Sequence, residues 1–220
     1  MLQRLQANSF RVWLLRVLLW LVPLCALWWW LGGSDWFLRV LSLLADAVLP
    51  KWVFADVREM VWQGNQTWRV RTLLPVESSG ENLVVFISKE RLTHMVLGFP
   101  LLWALLLATK GPKVWRMILG TGLLTLVELF NVASHLWAML AVVVNHRASL
   151  IDTNLLPPPF TVRTTPYADW VFHLSSYAYY MSIVVTPLIA PVLVWVGLCQ
   201  RGIRRLVVAV RRKAVRQRLA

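Results

Sequence analysis

The sequence has few charged residues for its length and almost no cysteine. Asp, Glu, Lys and Arg make up 15% of its 220 residues, against roughly 25% in an average soluble domain. With 58% hydrophobic residues and a mean hydropathy of +0.60, the chain lacks the polar surface of a water-soluble domain. The two cysteines, Cys25 and Cys199, give neither a disulfide framework nor a Cys-x-x-Cys metal pattern.

Motifs of recognised chemistry are also missing. The sequence contains no phosphate-binding loop, dinucleotide fingerprint, haem-attachment motif or glycine-flanked nucleophilic serine. We therefore expect no catalytic residue, no metal and no cofactor. On these grounds the sequence favours a non-enzymatic protein.

Long apolar runs are what the sequence does contain. Four of them, at 12–31, 92–109, 114–144 and 169–199, reach about 27 Å or more as helices, which is adequate to cross a bilayer. They predict a mainly α, polytopic membrane bundle of about four transmembrane helices. A signal peptide is the alternative for the first run, but the run exceeds the usual apolar core and no small-residue cleavage site follows it. We expect an uncleaved anchor.

The segment between the first two runs has a different pattern. From Asp35 to Val53 helical spacing with interspersed charges predicts an amphipathic helix that either lies in the interface or packs on the next module. The period then changes to 2 in VREMVWQ, TWRVRTLL and NLVVFISK, which predicts a small antiparallel sheet. The predicted organisation is an anchor at 1–33, this β-rich module at 34–91, further spans at 92–199 with a proline-rich loop at 145–168, and a basic tail at 200–220.

The net charge of +13 is concentrated at the N-terminus, around Lys113 and in the tail. With four spans these three regions fall on one side, and the positive-inside rule makes that side cytoplasmic. The module and the proline-rich loop are then extracytoplasmic. We expect the tail to contact anionic lipid headgroups rather than nucleic acid. The residues expected to make this contact are Arg201, Arg204, Arg205, Arg211, Arg212 and Lys213, and Arg216 and Arg218 add further positive charge to the tail.

The third span carries the main polar candidates. Glu128, Asn131 and His135 fall within about 60° on a helical wheel, and an ionisable group at bilayer depth must face protein or water. Glu128 and His135 are two turns, about 10 Å, apart, which does not fit the i, i+4 spacing of a zinc motif. His173 and Tyr177 of the last span either face this ladder or lie at the outer interface. Structural packing or a partner contact is favoured over an ion relay and over catalysis.

Two apolar stretches carry a family resemblance. The pattern G-x-P-L-L-x-A-L-L-L-A from Gly98 to Ala108, and the proline-rich stretch from Thr186 to Trp195 before the basic tail, resemble the exosortase H-associated membrane proteins of bacteria. The resemblance implies a protein of the bacterial inner membrane that accompanies an exosortase, a transpeptidase that processes C-terminal sorting signals. The implied partners are the exosortase or its sorted substrates, and no catalytic residues are carried over.

Two functions follow as hypotheses. The first is a non-enzymatic membrane accessory protein for an exosortase-type protein-sorting system, acting through its extracytoplasmic module. The second is a membrane enzyme or transporter centred on Glu128, His135 and His173.

Overall fold

The computed structural model describes residues 2–52, 56–63, 67–76, 80–109, 113–145 and 167–199. These residues are mainly helical and include a three-stranded antiparallel sheet. Residues 146–166 of the predicted proline-rich loop (145–168) and the basic tail from residue 200 lie outside the described residues. The elements are α1 (Leu2–Trp30), α2 (Gly33–Trp52), β1 (Val57–Gln63), β2 (Thr67–Pro75), β3 (Asn82–Ser88), α3 (Lys89–Val96), α4 (Gly98–Ala108), α5 (Lys113–Val144) and α6 (Asp169–Tyr180).

Three helical segments among the described residues are long and apolar enough to span a membrane: Arg11–Trp30, Lys113–Val144 and Asp169–Cys199. They confirm three of the predicted spans, and four is not confirmed. The predicted second span is not one helix, because a turn at Leu97 separates α3 from α4. Pro100 explains the break, since it has no N–H to donate to the carbonyl of Val96 and its ring clashes with that carbonyl.

The chain divides into two compact units, and the first comprises the described parts of 1–31, 98–124 and 189–220. Here α1 and α4 pack against each other, with Ala104, Leu105 and Ala108 against Val17. Phe99, at the start of α4, instead stacks on Trp28, at the end of α1. The two helices are therefore antiparallel.

The same unit gathers several chain segments at the beginning of α1. Trp13 stacks on Trp195 with ring centroids 5.3 Å apart, and Trp195 Nε1 donates a 2.9 Å hydrogen bond to Thr109 Oγ1. Arg116, in the first turns of α5, lies 4.0 Å from the sulfur of Cys199. The start of α1, the end of α4, the start of α5 and the last turns of the final helix thus meet at one end of this unit.

The second unit comprises the described parts of 32–97 and 125–188, and it contains the sheet in the order β1-β2-β3. Alternation along β2 matches the prediction: Trp68, Val70, Thr72 and Leu74 are buried, while Arg71 is exposed. Helix α2 packs on the β1 side of the sheet. Its buried stripe follows helical spacing and consists of Leu38, Leu41, Ala45 and Leu49.

Two polar contacts hold α2 in place. The backbone N–H of Met60 in β1 donates to Asp46 Oδ1 at 2.7 Å. Lys89, at the start of α3, forms an ion pair with Asp35 at the start of α2. Of the two placements predicted for this helix, the structure has the second: α2 packs on the module through contacts with β1 and α3.

The last long helix contains a π turn at Met181–Val185, where α6 continues towards Cys199. Pro187 lies two residues after this turn and lacks the N–H that an α-helix would direct to the carbonyl of Ile183. The wider turn accommodates this loss. Thr186 Oγ1 donates to the Met181 carbonyl at 2.9 Å, so the local backbone remains hydrogen bonded.

Candidate functional site

The polar stripe of α5 is buried in the second unit. Glu128 and His135 are both 0% exposed, and Asn131 is 1% exposed. Asn131 Nδ2 donates to Glu128 Oε2 at 2.9 Å, as the i, i+3 spacing favours. The other carboxyl oxygen, Oε1, is buried and accepts no hydrogen bond from the described residues. The carboxyl group is therefore half satisfied.

His135 contacts the last long helix through an aromatic ring. The ring centroids of His135 and Tyr179 are 5.0 Å apart with an interplanar angle of 37°. Further along the same pair of helices, Ala141 and Val142 pack against Phe172. The second half of α5 and the first half of α6 are thus joined by ring contacts and apolar packing.

A double hydrogen bond closes the end of this helix pair. Asn145 Nδ2 donates to the Tyr167 carbonyl at 3.0 Å, and the Tyr167 N–H donates to Asn145 Oδ1 at 2.9 Å. Burial raises the pKa of the Tyr167 phenol, and the Asp56 carboxylate raises it further by disfavouring a second negative charge.

The buried serines near this site are satisfied within their own helices. Ser134, Ser175 and Ser182 donate to backbone carbonyls three or four residues earlier, at 2.7 to 3.0 Å. Such bonds satisfy a hydroxyl inside a membrane without a second helix or a ligand. These serines therefore indicate packing and not a prepared nucleophile.

The structure places the two predicted residues of the last span on the surface. His173 is exposed and its ring meets Phe172 edge-on, while Tyr177 is 71% exposed. The tyrosine that contacts His135 is Tyr179. The signal for it was available, because Phe172, Ser175, Tyr179 and Ser182 recur at helical spacing and form the less exposed stripe of this segment.

The arrangement offers limited chemistry. Within the described ranges no group of three or more His, Cys, Asp or Glu side chains is placed to hold a metal ion. Glu128 is paired with Asn131 and His135 with Tyr179, two contacts that involve different partners. A buried polar ladder of this kind can fix the register of helices, as polar groups do in membrane bundles.

A second candidate surface is the face of the sheet directed away from its buried side. It presents the exposed residues Val61, Arg71, Leu73 and Phe86. Arg71 Nη1 is 3.1 Å from Glu59 Oε2 on β1, so that cation is paired. Arg69 lies between Val61 and Phe86 in the strand register, and its Nε is buried with no acceptor among the residues described. This face is both apolar and basic.

Comparisons with known proteins identify one family. A family model described as "Exosortase H-associated membrane protein" matches residues 7–202 of the chain. Neither a search of curated proteins nor a search of solved structures gave a match.

Proposed function

This chain belongs to the exosortase H-associated membrane protein family, and on that premise we propose that it is a non-enzymatic accessory protein of the bacterial inner membrane. In this proposal it assists an exosortase-type protein-sorting system through its β-rich module. The observation that carries it is the family match over residues 7–202, which includes the spans and the module alike. The family description names an association and a membrane, and it names no reaction.

The proposed orientation has both termini in the cytoplasm and the module outside. Within the first unit the start of α1, the end of α4 and the start of α5 meet at one end, and Arg11, Lys113 and Arg116 belong to those segments. The positive-inside rule assigns that end to the cytoplasm.

This orientation requires residues 92–108 to cross as a broken span. They form a short apolar helical segment, and its second part runs antiparallel to α1. If the three long helices alone crossed, the tail would lie on the opposite side from the N-terminus. Its arginines would then be outside, against the charge rule. A discontinuous helix at membrane depth is tolerated where protein surrounds it.

The module is the proposed contact because it has an exposed, chemically mixed surface outside the spans. Apolar and basic side chains alternate on it, and interfaces are enriched in aromatic residues and arginine. The polar ladder of α5 supports this role by holding the helices that carry the module. The alternative, a membrane enzyme or transporter, needs Glu128, His135 and His173 to act together, yet the side chain of His173 is exposed.

Two experiments test the proposal. A periplasmic reporter and a cytoplasmic reporter are each inserted after Gly80, and activity of the periplasmic reporter alone is expected. Activity of the cytoplasmic reporter alone would reverse the orientation and remove the proposed role. For the association, the full chain is isolated in mild detergent after crosslinking in its own cells. Recovery of an exosortase or a sorted protein is expected, and repeated isolation of the chain alone would contradict the proposal.

A further inference from the structure

The two edges of the sheet differ in how they are protected against adding another strand. Exposed strand edges are usually blunted by charges, bulges or a covering element. The β1 edge has all three. It carries Arg58 and Glu59, its register shifts between Val57 and Glu59, and α2 packs against it. The N–H of Met60 is taken by Asp46 of α2, which removes a donor that an added strand would need.

Among the described residues the β3 edge lacks the charges and the bulge of β1, and α3, which contacts it, begins at the residue after the strand. Its sequence NLVVFIS contains no charge and no proline. Strand β2 pairs with it on one side, and no described strand pairs with it on the other. Its inward residues Leu83, Val85 and Ile87 are buried, which fixes its register, while Phe86 on the opposite face is 42% exposed. A seven-residue strand held in this way presents a regular row of backbone donors and acceptors.

The charge on the exposed face of the sheet determines which kind of strand can add at the β3 edge. Arg71 is directed to Glu59 on the β1 side, so it is already paired. Arg69 lies beside Phe86 of β3, and it makes no ion pair with the residues described here. Its long side chain is able to extend over β3 towards a neighbouring strand. A second copy of this chain would bring a second arginine to the same place, whereas a carboxylate would complement it.

We propose that the β3 edge binds an extended peptide segment that pairs with Asn82–Ser88 as a fourth strand and presents a carboxylate side chain to Arg69. Main-chain hydrogen bonds supply the binding in this mode, and side chains on alternate positions supply selectivity. Phe86 offers an apolar contact on the same face as the arginine. The assignment rests on the proposed accessory role, for which it names the surface and the class of partner.

The test uses the full chain in nanodiscs of zwitterionic lipid and a short fluorescent peptide of alternating Val and Thr with a central Asp. Fluorescence anisotropy is compared for this peptide, for the same peptide with Lys in place of Asp, and for one N-methylated at alternate residues. We expect the Asp peptide to bind, the Lys peptide to bind about tenfold more weakly, and the N-methylated peptide to lose binding.

Variants of the protein sharpen the result. Arg69→Glu should invert the preference between the Asp and Lys peptides, while Arg58→Glu on β1, the matched charge reversal, should leave it unchanged. Circular dichroism confirms folding, and the exchange of Asp for Lys in the peptide needs no protein variant at all. Equal effects of the two reversals would indicate non-specific charge attraction and overturn the proposal.

Other outcomes would also overturn it. These are binding that tolerates N-methylation, binding only to nanodiscs or vesicles of anionic lipid, or a dimer that Phe86→Lys abolishes, which would make the edge a self-association site. Failure of all the peptides, with an exosortase still recovered by crosslinking, would remove this inference and leave the accessory role. Peptide binding without any crosslinked partner would keep this inference and remove the accessory role.

Discussion

The Glu128–Asn131 pair gives the sharpest test of whether the intramembrane polar groups are structural. The proposed perturbation replaces each residue by leucine, singly and together, so that volume is largely kept while polar groups are removed. Asn131 Nδ2 is the donor found for the carboxyl group, at 2.9 Å to Oε2, and Oε1 has none among the described residues. Asn131→Leu therefore leaves the Glu128 carboxyl group without this hydrogen bond, and Glu128→Leu leaves the Asn131 amide group without it.

Asn131→Leu leaves a buried carboxyl group with no donor identified, and an unsatisfied buried group of this kind costs about 1–3 kcal/mol or more. Glu128→Leu removes the group that is expensive to bury and loses one hydrogen bond within α5, worth about 0.5–1.5 kcal/mol. The double variant has neither group and should lie within about 1 kcal/mol of the native chain. The coupling free energy is then about −2 kcal/mol, within the range for residues in contact.

The assay is reversible unfolding in mixed micelles of mild detergent and dodecyl sulfate, followed by tryptophan fluorescence. Glu128→Gln, which keeps the size and an acceptor oxygen, should be the mildest change at this position. Ser134→Ala is the control, because its hydroxyl bonds to its own helix at the Phe130 carbonyl. Destabilisations that simply add in the double variant would refute the reasoning. Full stability of every variant with loss of sorting would instead favour the enzyme or transporter.

Further predictions concern other contacts. Asp46→Ala should destabilise the module by about 1.5–3 kcal/mol through loss of a charge-assisted bond, seen as faster amide exchange in β1, and unchanged exchange would contradict it. Trp195→Phe keeps an aromatic ring on Trp13 but loses the bond to Thr109, so it should cost about 1 kcal/mol in detergent unfolding. The surface variant Trp115→Phe should cost less. The pKa of Tyr167 is raised in the folded chain, so the stability that its neutral phenol contributes is fully present below about pH 10. That stability is lost as the pH rises through the pKa of the folded chain. Above about pH 10 the thermal unfolding midpoint should fall less steeply with pH in Tyr167→Phe than in the native chain. Equal slopes in the two proteins would contradict this role of Tyr167.

Local patterns predicted the sheet well because its strands have one buried face. The alternation in β2 and β3 follows directly from the pleat, and the predicted VREMVWQ is β1 as observed. Pro100 predicts a kink in the second span, and the structure has a turn at Leu97, whereas the π turn before Pro187 was not predicted, because hydropathy measures length and not hydrogen-bond continuity. Pro100 lies three residues after Leu97 and Pro187 lies two residues after the π turn, and each removes a donor that a continuous α-helix requires.

The ladder of α5 could be located from the sequence, but its partner could not. Periodicity placed Glu128, Asn131 and His135 on one stripe, and all three are buried. On the last span two stripes compete, because tyrosines occur on both. The structure brings Tyr179 to His135 and leaves Tyr177 exposed. Choosing between such stripes requires the rotation of one helix relative to another, which packing sets.

The buried polar ladder of α5 and the exposed part of the sheet differ in which polar groups lack a partner among the described residues. This difference supports the proposed binding role over the alternative of an enzyme or transporter. Among the described residues, the buried serines near the ladder bond to their own helices, and Glu128 has Asn131. The carboxyl oxygen Oε1 of Glu128 accepts no hydrogen bond from those residues, and it is inaccessible from the surface. In the part of the chain that the structure describes, no strand pairs with the outer edge of β3, and Arg69 on the neighbouring strand makes no ion pair. A substrate must reach the reacting atoms, whereas a partner needs only a surface. The observed distribution of polar groups therefore supports the proposed role of binding other chains outside the membrane spans.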